Sequence, residues 1–107
     1  MPNRLTVMIS DVAPKLKNVD KTKRARLKAA LALDASEIIG WQNAQTEAHA
    51  SGTLSTDEAQ FIYAAIGPTG ANWPKQTLAT RYVITQVMQT LLGNQIAARR
   101  QRASREG

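Results

Sequence analysis

From Thr77 to the end of the chain no proline interrupts the sequence, and Val83, Ile84, Val87, Met88, Leu91 and Leu92 recur at the three- and four-residue spacing of a helix. Together they cover roughly half the circumference of that helix. A stripe this wide is not stable in water, so other helices must cover it. Leu78, Tyr82 and Ile96 stand at its edges. Gly93 lies inside it, at a cost of about 1 kcal/mol relative to alanine. Pro74 suits the first turn, where a missing amide is harmless. The far end, residues 99–107, is expected to fray as a basic tail.

The rest of the chain contains the covering helices. Ser55-Thr56-Asp57-Glu58 has the spacing of a capping box, in which a serine and a glutamate satisfy each other's free amides. The helix behind it, through Ile66, is expected to bury Ala59, Ile62, Tyr63 and Ile66, and Gly67-Pro68 stops it. Further upstream, Leu27, Ala30, Leu31, Ile38, Trp41, Gln45 and Ala48 fall on one helical face in a stretch without proline. The expectation is one helix, continuous or mildly bent near Asp34. The alternative is two helices, with Asp34 and Glu37 capping the second. Near the start, Leu5, Met8, Ile9 and Val12 give a shorter helical stripe that Asn3 can cap. Thr, Val and Ile there also suit a strand, but a lone strand would have no partner in this chain. Pro14 is expected to end the element. The fold class is therefore all-α: a single domain over residues 1–107, a small bundle of three to four helices with a basic C-terminal tail.

Charge is distributed unevenly over this frame. The chain is net +6. Residues 1–28 carry eight basic and two acidic residues, residues 29–98 two and five, and residues 99–107 four and one. All the excess positive charge thus sits at the two ends. Half of the fourteen Lys and Arg residues lie in KLKNVDKTKRARLK, Lys15–Lys28. If helix extends back to Lys17, then Lys17, Lys21, Arg24 and Lys28 form one stripe, with Lys23 and Arg26 on the other shoulder of Leu27. Arg99, Arg100 and Arg102 form a second cluster near the C-terminus. Such stripes can follow a phosphate backbone.

Catalytic patterns are nearly absent. Without cysteine and with His49 as the sole histidine, no Cys/His zinc site can be assembled from this chain, and no nucleophile elbow surrounds that histidine. GPTGANWPK, Gly67–Lys75, lacks the spacing of a phosphate-binding loop. Residues 35–48 and 56–66 make a poor helix-turn-helix: the connection is long, and Asp57 and Glu58 would face the phosphates. Neither a metal, a cofactor nor a catalytic residue is expected. The first ten residues do not read as a signal peptide, and no apolar run reaches the length of a bilayer span. The expectation is a cytoplasmic protein with no membrane partner.

The leading expectation is a non-catalytic nucleic-acid-binding small subunit. It would grip the DNA or RNA backbone through Lys17, Lys21, Arg24, Lys28, Arg99, Arg100 and Arg102, within a larger nucleoprotein assembly. The alternative is a protein-interaction or self-assembly module without nucleic acid. In that reading Trp73, which its Pro/Gly-rich loop can otherwise fold back over the core, serves as an exposed anchor, and part of the last helix's apolar face (Tyr82, Ile84, Met88, Leu92) meets a partner.

Overall fold

The computed structural model describes residues 3–106, with side chains described through residue 93. The described residues form five α-helices and one 3-10 turn, with no strand. They are α1 (Arg4–Lys17), α2 (Lys21–Ala30), α3 (Ala35–Ala50), α4 (Thr56–Ile66), the turn Trp73–Lys75, and α5 (Leu78–Glu106). The chain is all-helical as expected, with more helices than the three to four read from the sequence. The expected basic tail, with Arg99, Arg100 and Arg102, lies outside the described side chains.

The first element is a helix and not a strand. Asn3 is extended, and its side chain accepts from the Leu5 amide at 2.8 Å. Leu5 is fully buried, and Met8, Ile9 and Val12 pack against the core. Pro14 does not end this helix. α1 continues through Pro14 for one more turn, and Asn18 closes it. Proline deprives the Ser10 carbonyl of its donor. Ser10 is exposed, so water can serve that carbonyl. Arg4 and Met8 share a groove with Val87 and Leu91, while Ile9, Ala13 and Leu16 share one with Leu78, Ala79 and Thr80. α1 therefore runs antiparallel to α5.

The expected long helix over residues 23–50 is instead two helices, broken between Ala30 and Ala35. Asp34 takes an extended backbone conformation and forms the capping box of α3. It accepts from the Glu37 amide at 2.7 Å, and Glu37 accepts from its amide at 3.2 Å. The break frees the Leu31 carbonyl, which in a continuous helix would bond four residues on. Trp73 takes it up: its indole Nε1–H donates to the Leu31 oxygen at 2.7 Å, in the interior.

α4 starts at its expected capping box. Ser55 accepts from the Glu58 amide at 3.2 Å and Glu58 accepts from the Ser55 amide at 3.0 Å. The second oxygen of Glu58 accepts from Arg4 Nε at 2.6 Å, tying the start of α4 to the start of α1. The Ser55 amide above all, with Arg4 adding to it, holds the Glu58 carboxyl below its ordinary range. Gly67 ends α4 at φ 84°. In the loop that follows, Gly70 has φ 82°, and a Cβ there would collide with Ile38, so only glycine fits.

Pro74 lies in the 3-10 turn and not in the last helix. Gln76 is extended, and α5 begins after Thr77, whose hydroxyl accepts from the Thr80 amide at 3.2 Å. Ile84 and Met88 of α5 are fully buried, and Leu91 is buried. Their partners include Leu5, Trp41, Ala44, Ile62 and Ile66. Trp41 and Trp73 meet edge to face, centroids 5.5 Å apart. Three expectations about exposure are corrected. Trp73, proposed as an exposed anchor, is 2% exposed, because its indole fills the core and spends its donor on Leu31. Ile84 and Met88 offer no outward patch, because α1 and α3 cover that side of α5. Tyr63, expected inside, is 45% exposed and Ala65 is buried in its place. The buried stripe of α4 runs through Ala59, Ile62, Ala65 and Ile66, and this leaves the phenol hydroxyl in water.

Candidate nucleic-acid interface

The basic run folds into two helices and not one. Lys17 is the last residue of α1 and Lys21 the first of α2, with Asn18, Val19 and Asp20 between them. Asp20 caps α2 by accepting from the Lys23 amide at 2.8 Å. The single stripe Lys17–Lys21–Arg24–Lys28 therefore does not exist. Lys21, Arg24 and Lys28 keep their three- and four-residue spacing on α2, and Lys17 approaches from α1.

α2 is unlike the other helices. None of its ten residues is buried. Five of them are cations (Lys21, Lys23, Arg24, Arg26 and Lys28), and none is acidic. Leu27 is half-buried, and the helix is fixed at its ends. At its C-terminal end the chain is held by Leu31, which is buried and bonded to Trp73. Near its start, Arg24 Nη2 donates to the Leu16 carbonyl of α1 at 2.9 Å. Arg24, half-buried, is thus partly a structural pin. Sequence spacing could not reveal that role, because it depends on how α1 ends.

The remaining cations of the run are free. Lys15, Lys17, Lys21, Lys23, Arg26 and Lys28 are all exposed. Among the described residues the one ion pair is Arg4–Glu58, so no α2 cation is paired with a described acid. Lys21 and Lys23 also stand in the first turn, where the helix dipole is positive and disfavours them. An arrangement that opposes the dipole and has no pairing acid costs the isolated fold some stability. Beside α2, where α1 and the start of α5 converge, lies an open cleft of about 440 Å³ lined by Leu16, Lys17, Arg24 and Thr77, among others.

The other candidates fall away from this surface. His49 is exposed in the last turn of α3, and its Nε2 shares a hydrogen bond of 3.0 Å with the Thr56 hydroxyl at the start of α4. Among the described residues no cluster of His, Asp and Glu is placed to hold a metal ion. No helix there is long and apolar enough to cross a membrane. No protein-family model, no curated protein and no solved structure matches this chain.

Proposed function

We propose that this chain is a non-catalytic nucleic-acid-binding subunit that holds a phosphate backbone through α2 and the C-terminal turn of α1. One observation carries the reading: α2 buries none of its residues, bears five cations and has no acidic residue. A helix that contributes so little to the core leaves its charged surface available to contacts outside the fold. Its cations are unpaired among the described residues, so phosphates would meet groups that need no internal bond broken. Lys17, Lys21, Lys23, Arg26 and Lys28 make the contacts. Arg24 contributes what remains of its guanidinium after the bond to Leu16. Arg99, Arg100 and Arg102 are a second cluster of positive charge further along the chain.

The test is the salt dependence of binding to mixed-sequence DNA and RNA. Four to six phosphate contacts predict that log K falls against log salt with a slope of about −3 to −5. Replacing Lys21, Lys23, Arg26 and Lys28 by glutamine should reduce that slope by about 3 to 4 and weaken all sequences alike, since backbone contacts do not read bases. Arg24 is left in place so that α2 stays docked. Absence of binding to any DNA or RNA at low salt, or binding that the four substitutions leave untouched, refutes the proposal.

A second reading, a protein-interaction module, is favoured by a different surface. Tyr63 is 45% exposed, in an open groove between α3 and α4 that His49 and Gln60 also line. Tyr63→Ala should abolish a protein contact there and leave nucleic-acid binding unchanged.

A further inference from the structure

The positions of the cations around α2 say which nucleic acid it suits, given that α2 binds a backbone at all. At 3.6 residues per turn, the body side of α2 is set by Arg24 and Leu27, both half-buried, and by buried Leu31 at its C-cap. Lys21 and Lys28 then stand on one flank, and Lys23 and Arg26 on the other. The outward ridge is Thr22 and Ala29, with Ala25 and Arg26 at equal angles on either side of it, all exposed. Cations therefore flank the helix on both sides, and Arg26 leans from its flank toward the outward ridge.

We propose that α2 enters the major groove of B-form duplex DNA, each flank contacting one of the two phosphate strands. The dimensions agree. A helix with its side chains is about 10–12 Å across, and the major groove is about 12 Å wide. The A-form major groove of duplex RNA is too narrow and deep for such an entry. A single strand offers only one row of phosphates, which would leave one flank unused. The short side chains of Thr22, Ala25 and Ala29 fit against base edges, where alanine suits thymine methyl groups, and Arg26 reaches past them from its flank. Asp20, the acidic residue next to α2 in the sequence, accepts from the Lys23 amide as its cap. The charge complementarity lies on both flanks and not on one face, and this selects duplex DNA over the other polyanions.

The experiment compares one DNA duplex of about two helical turns, an RNA duplex of the same sequence and the single DNA strand, by fluorescence anisotropy at one low salt concentration. The DNA duplex should bind at least tenfold more tightly than either of the others. Two paired variants, K21Q/K28Q and K23Q/R26Q, should each lower the salt slope on duplex DNA by roughly 1.8, two contacts at about 0.9 each. Guanine N7, a major-groove atom, should be protected from dimethyl sulfate in the complex. Equal affinity for the single strand, a slope change from only one of the two flanks, or unprotected N7 in a saturated duplex overturns the groove entry and leaves backbone binding standing. Failure to bind all three nucleic acids overturns both.

Discussion

Trp73→Phe tests whether the break between α2 and α3 is held open by a single hydrogen bond. The indole N–H donates to the Leu31 carbonyl at 2.7 Å, and both residues are buried, Trp73 at 2% and Leu31 at 5% exposure. Phenylalanine keeps an aromatic ring against Trp41 but has no donor. The Leu31 carbonyl is then left without a partner in the interior, at a cost of about 1–3 kcal/mol. The smaller ring also gives up apolar contact and leaves some space, on the order of another 1 kcal/mol. The expected loss is about 2–4 kcal/mol, a large share of the stability of a domain this small. With a urea slope of about 1–1.5 kcal/mol/M, the denaturation midpoint should fall by roughly 2 M. Native-state hydrogen exchange should show where the loss begins: amides in the last turn of α2 should speed up before those in the centres of α3 and α5. A midpoint shift worth less than about 0.5 kcal/mol would refute the reasoning. It would mean that the carbonyl finds water or another donor, and that the indole does not fix the end of α2.

Two further outcomes follow from the caps of α4. Ser55→Ala should lower stability by about 1 kcal/mol in a denaturant titration, because the Glu58 amide loses its acceptor; an unchanged midpoint would place the start of the helix elsewhere. Glu58→Gln should lower stability at neutral pH by weakening the link to Arg4 and the charge-assisted bond to Ser55. The Glu58 carboxyl titrates below its ordinary 4.5 in the folded state. Its stabilising effect is therefore complete above about pH 5 and is lost as pH falls below that ordinary value through the folded one. The stability gap between wild type and E58Q, measured by urea titration at several pH values, should close on acidification; a gap independent of pH would show that the charge plays no part.

Local signals were legible in the sequence wherever the interaction that decides the structure is itself local. The box at Ser55 and Glu58 fixes the start of α4 within three residues, and Gly67 fixes its end within the next turn. The stripe of α5 is likewise a repeat of spacing that predicts which side is buried. Asp34 and Glu37 show the same box, but a proline-free run of apolar spacing competed with it. The box prevailed because the break gives Trp73 a buried acceptor 42 residues away in the chain, and no local pattern contains that fact. Trp73 itself stayed open between a place in the core and an exposed anchor for the same reason. Pro14 was misjudged because the rule that proline ends helices assumes that the orphaned carbonyl is costly, and at exposed Ser10 it is not.

The candidate site divides along the same line. Its residue types could be read directly, since no core requirement explains five cations in ten residues. Its geometry could not, because the stripe presumed a helix running from Lys17 to Lys28. Breaking that helix at Asn18 changes what the charge can do. A continuous stripe would lie along one strand of phosphates, with Arg24 in its middle. In the fold, Arg24 turns inward to the Leu16 carbonyl at 2.9 Å, and the exposed cations that remain divide into two flanks. The bond that removes Arg24 from the stripe also holds the inner side of α2 against α1, and this leaves the outer side of α2 free. The bundle keeps this helix by its inner side, through half-buried Arg24 and Leu27 and buried Leu31, so its outer side is available to a partner at no cost to the packing of the bundle.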